Sequence, residues 1–119
     1  MQKHTLVIGA TPNPDRYAFK ATEMLTKYGH TVVAYGIKKG AIGDVEIVNE
    51  FPNEDFDTVT LYVGPQNQAV FYQYILNLKP KRVIFNPGTE NAAFEAQLQQ
   101  AGIEALEACT LVMLSTGQY

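Results

Sequence analysis

Five stretches of this sequence hold residues whose types and spacing could do chemistry. The first is Gly9-Ala10-Thr11-Pro12-Asn13-Pro14-Asp15, between the apolar run Leu6-Val7-Ile8 and a helix-like stretch from Arg16 to Tyr28. A strand that turns at glycine into a helix N-terminus is a place for phosphate, because unpaired N–H groups and the positive end of the helix dipole meet there. After Gly9, however, no second or third glycine stands where G-x-G-x-x-G would lay a dinucleotide pyrophosphate against the backbone. The NAD mode of binding is therefore not expected.

The second stretch, Gly36-Ile37-Lys38-Lys39-Gly40, separates ligand classes. An NAD-type site carries Asp or Glu here to accept from the ribose diol, whereas lysines are point charges suited to phosphate. They fit a phosphorylated ribose or a pyrophosphate, as in coenzyme A or NADP; a solvated lysine pair is the plainer alternative. Arg16 and Lys20, one helical turn apart, add a second basic element. Gly64-Pro65, after Thr58 to Val63, is a flat turn that could slide under a ring. Asn86-Pro87-Gly88-Thr89-Glu90-Asn91 offers amides and small side chains, with Thr89 or Asn91 placed to cap the next helix. Cys109 follows the last apolar run and reads either as a small buried group or as a reactive thiol.

Apolar runs at Leu6 to Ile8, Thr31 to Tyr35, Thr58 to Val63, Val83 to Phe85 and Ile103 to Leu106 alternate with helical periodicity, the pattern of a parallel sheet. In the first helix Tyr17, Ala21, Met24, Leu25 and Tyr28 share a face, and Gly29 stops it. A second runs from about Asn67 to Leu78, with Val70, Phe71, Tyr74, Ile75 and Leu78 inward and Pro80 beyond; a third fills Asn91 to Ala101 and ends at Gly102. Between Gly36 and Asp57 the helical pattern fails, and only Val45 to Val48 reads as a short strand. The simplest assembly is a three-layer, Rossmann-like α/β domain over 1–119, with a five-stranded parallel sheet of order 3-2-1-4-5 and helices on both faces. Ligands of such sheets bind outside the carboxyl ends of the strands, so the four polar loops should share one rim. His4 and His30 fall at the opposite edge and are not expected to be catalytic.

With 119 residues the chain can bury one core, and its formal charge of -3 argues against general nucleic-acid or anionic-membrane binding. Met1 leads into the first strand with no export or membrane segment ahead of it, and a lone cysteine excludes an internal disulfide and a Cys-rich metal site. A cytoplasmic protein follows. Aromatic residues expected at the surface, Tyr72 and Tyr119 among them, could support a homodimer face.

Together the loops resemble the small CoA-binding domain proteins, single-domain relatives of the CoA-binding portion of the succinyl-CoA synthetase alpha subunit. Gly9-Ala10-Thr11, Pro14 and Arg16-Tyr17 fit that family's first loop, Val63-Gly64-Pro65 its turn after the third strand, Pro87-Gly88 with Glu90-Asn91 its fourth loop, and Cys109 the cysteine after its fifth strand. Gly64 replaces a proline of the family pattern, and Tyr35-Gly36-Ile37-Lys38-Lys39-Gly40 departs from its Val-Asn-Pro-like end of strand two.

The resemblance implies a nucleotide ligand, CoA or an acyl-CoA, with the first-helix N-terminus on phosphate and the fourth loop near pantetheine. The expected contacts are Gly9, Ala10, Thr11, Asn13, Pro14, Arg16, Lys38, Val63, Gly64, Pro65, Asn86, Pro87, Gly88 and Cys109. Binding without catalysis is the first reading, since no histidine lies on the ligand side. An NADP-dependent oxidoreductase fragment, and a protein that forms a mixed disulfide between CoA and Cys109, are the alternatives.

Overall fold

The computed structural model describes residues 2–119; Met1, from which the first strand was expected to follow, lies outside them. Within the described residues seven strands form one sheet: β1 (Thr5–Ile8), β2 (Val32–Tyr35), β3 (Ala41–Ile42), β4 (Val45–Val48), β5 (Thr58–Leu61), β6 (Arg82–Phe85) and β7 (Glu104–Glu107). Their spatial order is β3-β4-β2-β1-β5-β6-β7. All neighbours are parallel except β3, which runs antiparallel to β4.

This corrects the expected five strands and their order. The chain from β2 to β4 contains no helix; it turns through the β3–β4 hairpin, so Val45–Val48 reaches the free edge of β2 by the short route, pairing Ala34 with Ile47 and Tyr35 with Val48. Thr58–Leu61, expected outside the second strand, pairs instead with the far side of β1. The strand order still reverses at β1, and that is the switch point beside which a crevice opens.

Among the described residues four helices flank the sheet: α1 (Tyr17–Lys27), α2 (Tyr72–Leu78), α3 (Ala92–Gln100) and α4 (Thr110–Ser115). The central strands are buried on both faces, and apart from Arg82 their residues are apolar or threonine. On one face Leu6, Ile8, Val59 and Leu61 pack under Phe71 and Ile75 of the α2 region and Phe94 and Leu98 of α3. On the other, Val7 and Ala34 meet Ala18 and Leu25 of α1 and Leu114 of α4. Three layers result. Among the described residues no helix is long and apolar enough to cross a membrane.

The inward face of α1 is Ala18, Ala21, Thr22 and Leu25, while Tyr17 and Tyr28, expected inside, stand exposed. Small residues at i, i+3 and i+4, with Leu25 at i+7, let the helix lie close to the sheet, and the tyrosines keep their polar ends in water. The stretch expected as one helix from Asn67 begins as two 3-10 turns, Pro65–Asn67 and Ala69–Phe71, before α2; Val70, expected inside, is exposed.

Candidate functional site

At the carboxyl ends of β1, β2, β5 and β6 the four loops that follow these strands surround a cleft of about 1020 Å³. Its floor is set by close backbone approaches. Gly9 has φ +99°, and a Cβ there would lie 2.8 Å from the Tyr62 carbonyl oxygen, so only glycine fits. Gly36 is held against the Ala10 carbonyl oxygen in the same way. The first loop is thereby wedged between the ends of β2 and β5.

The N–H groups of Gly9 and Ala10 both donate to the Tyr35 carbonyl, at 3.0 and 2.8 Å. They are therefore spent on structure, contrary to the expectation that the glycine turn itself offers free donors. Asn13 and Asp15 amides are also occupied, donating to Thr11 Oγ1 and Asn13 Oδ1. The open donors lie one step further on. Arg16 is the N-cap of α1 and makes no side-chain cap, and the first turn carries no acidic residue, so the amides of Tyr17, Ala18 and Phe19 have no partner within the helix. The Arg16 side chain lines the cleft beside them, with Lys38 from the second-strand loop; Asp15 is the acidic residue of the wall. Lys39 lines a neighbouring groove along β4 that Lys38 also borders, and Lys20 sits over the Tyr17 ring at 5.5 Å.

Of the expected contacts, the structure brings Gly9, Ala10, Thr11, Asn13, Arg16 and Lys38 to the cleft from the first two loops. Val63, Gly64, Pro87 and Gly88 join them from the other two. Pro14, Pro65, Asn86 and Cys109 do not line it. Asn86 is 2 % exposed and its side chain is fully engaged: Nδ2 donates to Thr60 Oγ1 (2.6 Å) and the Leu61 carbonyl (2.8 Å), while Oδ1 accepts from the Thr110 amide (2.9 Å). It ties β5, β6 and the start of α4 together. Cys109 is the half-buried N-cap residue of α4. Asn91, and not Thr89, caps α3, accepting from the Phe94 amide at 3.1 Å; the Thr89 hydroxyl donates to the Asn86 carbonyl.

Several lining residues escaped the sequence reading. Tyr17, Ile37 and Val70 form an apolar lip although they are 68 %, 88 % and 72 % exposed. Exposed apolar side chains gathered round a cleft are an unusual surface, and their scatter along the sequence hid them. Tyr62 also borders the cleft. Its hydroxyl is buried without a hydrogen-bond partner, because the nearby hydroxyls of Thr60 and Thr110 bond to each other at 2.8 Å. Burial raises this phenol well above its ordinary range.

Both histidines lie at the opposite edge. His4 meets Thr31 Oγ1 and Glu54, and His30 accepts from the Lys3 amide at 2.9 Å. Tyr72 and Tyr119 are not the free aromatic surface expected: Tyr72 stacks on Phe94, and Tyr119 lies over the Arg82 guanidinium at 4.4 Å with its hydroxyl on Thr5. Among the described residues no group of three or more His, Cys, Asp or Glu could hold a metal ion.

The molecule is a three-layer α/β fold with a mostly parallel sheet and a crevice at its switch point. The chain belongs to the CoA binding domain family, whose model matches residues 3–115. No curated protein matches it. A solved structure described as an uncharacterized protein is 53% identical, covers 100% of this chain and 99% of its own, and superposes with a TM-score of 0.97. Cell-free ID.343 from Thermus thermophilus shares the fold at 23% identity, covering 98% of this chain and 90% of that one, with a TM-score of 0.86. A hypothetical protein from Pyrococcus horikoshii OT3 does so at 20% identity, 96% and 82% coverage, and a TM-score of 0.87.

Proposed function

We propose that this protein binds coenzyme A or an acyl-CoA in the cleft at the carboxyl ends of β1, β2, β5 and β6. The observation that carries the reading is the convergence of all four switch-point loops on one cleft in a chain of the CoA binding domain family. Its volume of about 1020 Å³ reaches the upper end of the roughly 300–1,000 Å³ typical of small-molecule sites. CoA joins a triply phosphorylated nucleotide to an uncharged pantetheine arm, and the cleft has surfaces for both.

The phosphates go to the open amides of α1, to Arg16 and to Lys38, where helix dipole and side-chain charge act together. Pantetheine, or an attached acyl group, goes to the apolar lip and the Pro87-Gly88 turn. The reading is one of binding. Cys109 stands outside the cleft lining and is assigned no part in it. A reducing cytoplasm fits a chain with one unpaired thiol.

Isothermal titration with CoA, acetyl-CoA, NADP and NAD tests the proposal. Saturable heat with CoA or acetyl-CoA, and none with the nicotinamide nucleotides, is the expected result. Heat with NADP alone would replace it by the dinucleotide reading, to which Lys38 is also suited.

A further inference from the structure

We infer that Gln68, a residue that does not line the cleft, is the positioning residue that fixes the spacing between its third and fourth loops. The inference rests on the CoA-binding reading and extends it to a residue behind the wall. Gln68 is 1 % exposed, a rare state for an amide side chain, and every polar atom of it is used. Its Nε2 donates to the Val63 carbonyl at 2.9 Å and to the Thr89 carbonyl at 2.7 Å. Its Oε1 accepts from Asn91 Nδ2 at 3.0 Å.

Those partners lie on different loops. Val63 follows β5 and Thr89 follows β6, and both line the cleft. A single NH₂ group thus bridges two segments that no backbone hydrogen bond joins at this level. The bridge is braced from behind: Asn91 also donates to the Tyr72 hydroxyl at 2.7 Å, accepts from the Phe94 amide, and donates its own amide to Glu95 at 3.0 Å. The third loop, the fourth loop and the N-terminus of α3 are consequently tied together by one side-chain network.

The chemistry admits few substitutes. Two donors on one atom and an acceptor beside it are what a primary amide provides. Turning the amide over would set its oxygen against two carbonyl oxygens, so the orientation is fixed by the network. Methionine fills the volume but leaves two buried carbonyls unpaired, and glutamate above its pKa points charge at them. Either change should let the two loops part.

The test compares wild type, Gln68→Met and Gln68→Glu by isothermal titration against CoA and against adenosine 3′,5′-bisphosphate, with thermal melts to show that each is folded at the assay temperature. In the proposed pose the phosphates of this fragment are held by α1, Arg16 and Lys38, none of which Gln68 hydrogen-bonds. Gln68→Met should weaken CoA about tenfold or more while the fragment changes less than about twofold. For Gln68→Glu, the CoA affinity relative to wild type should recover between pH 8 and pH 5, as the protonated acid regains one donor. Should Gln68→Met fail to fold, this pH profile carries the test. A folded Gln68→Met with wild-type CoA affinity, equal losses for CoA and fragment, or a pH-independent ratio for Gln68→Glu would overturn the inference alone. Absence of CoA binding by wild type would remove the binding reading and the inference with it.

Discussion

Arg16 and Lys38 reach the same cleft from loops that follow different strands, and Asp15 stands close to the first of them. A charge-assisted contact to phosphate contributes about 1.5–3 kcal/mol, so Arg16→Ala and Lys38→Ala should each weaken CoA by roughly tenfold or more. Titration at low and at high salt checks the origin of the loss: the difference from wild type should shrink as salt screens the exposed charges. Gly9 makes a different kind of contribution. Gly9→Ala forces a side chain onto φ +99° and against the Tyr62 carbonyl, at a cost of about 2–3 kcal/mol. A melting temperature lower by about 10 °C would register it. At this scale the sequence was a partial guide. Gly9, Arg16 and Lys38 could be placed at the carboxyl edge of the sheet from their neighbours alone, because each follows a strand or opens the helix after it. Asn86 could not be read correctly, since nothing local reveals that Thr60, Leu61 and Thr110 consume its amide. The Gly9 and Ala10 amides misled for the same reason: their acceptor, Tyr35, lies on another strand.

Elements with strong local signals were legible, and those made by pairing were not. β1, β5 and β6 are apolar runs flanked by turn residues, and α3 has both its cap, Asn91, and its stop, Gly102. β3 has two residues and exists only because β4 lies beside it. α4 has six residues, too few to be stable by propensity, and no expectation covered it. Its stability comes from Leu114, 2 % exposed against α1 and the sheet, and from Thr110, whose amide Asn86 holds. Leu114→Ala should therefore lower stability by about 2–4 kcal/mol in urea unfolding, with the transition remaining single, because the helix is part of the core. Asn86→Leu should lower it by about 2–3 kcal/mol for another reason, the unpaired Thr110 amide and Leu61 carbonyl left behind. A loss below about 0.5 kcal/mol in either would mean that α4 is an appendage.

At the scale of the molecule, the sheet separates two charged environments. The cleft occupies the carboxyl edge, while Lys3, His30, Arg82 and Tyr119 gather at the amino edge, where Arg82 donates to Thr58 Oγ1 and to the Tyr119 main-chain oxygen. The expected order failed at this scale because strand order depends on how the β2–β4 connection turns, which no local pattern encodes. The separation of the histidines from the carboxyl edge survived, since it depends only on which end of a strand each precedes. It also sets a pH response. His30 is lowered from its usual value by burial first, and then by the positive charges of Lys3 and Arg82, while its Nδ1 accepts from the Lys3 amide and so must be unprotonated. Unfolded, the ring titrates near its ordinary value of about 6.5. Between that value and the lower folded one the unfolded chain binds more protons, so stability rises with pH across the window. The His30 contribution is complete above about pH 6.5 and falls away as pH drops through the window toward the folded value. Urea midpoints of wild type and His30→Gln, compared at pH 7.5 and at pH 5.5, should show the wild type losing ground to the variant as pH falls. Parallel changes would refute the assignment, and CoA affinity at either pH should be the same in both proteins because His30 lies across the sheet from the cleft.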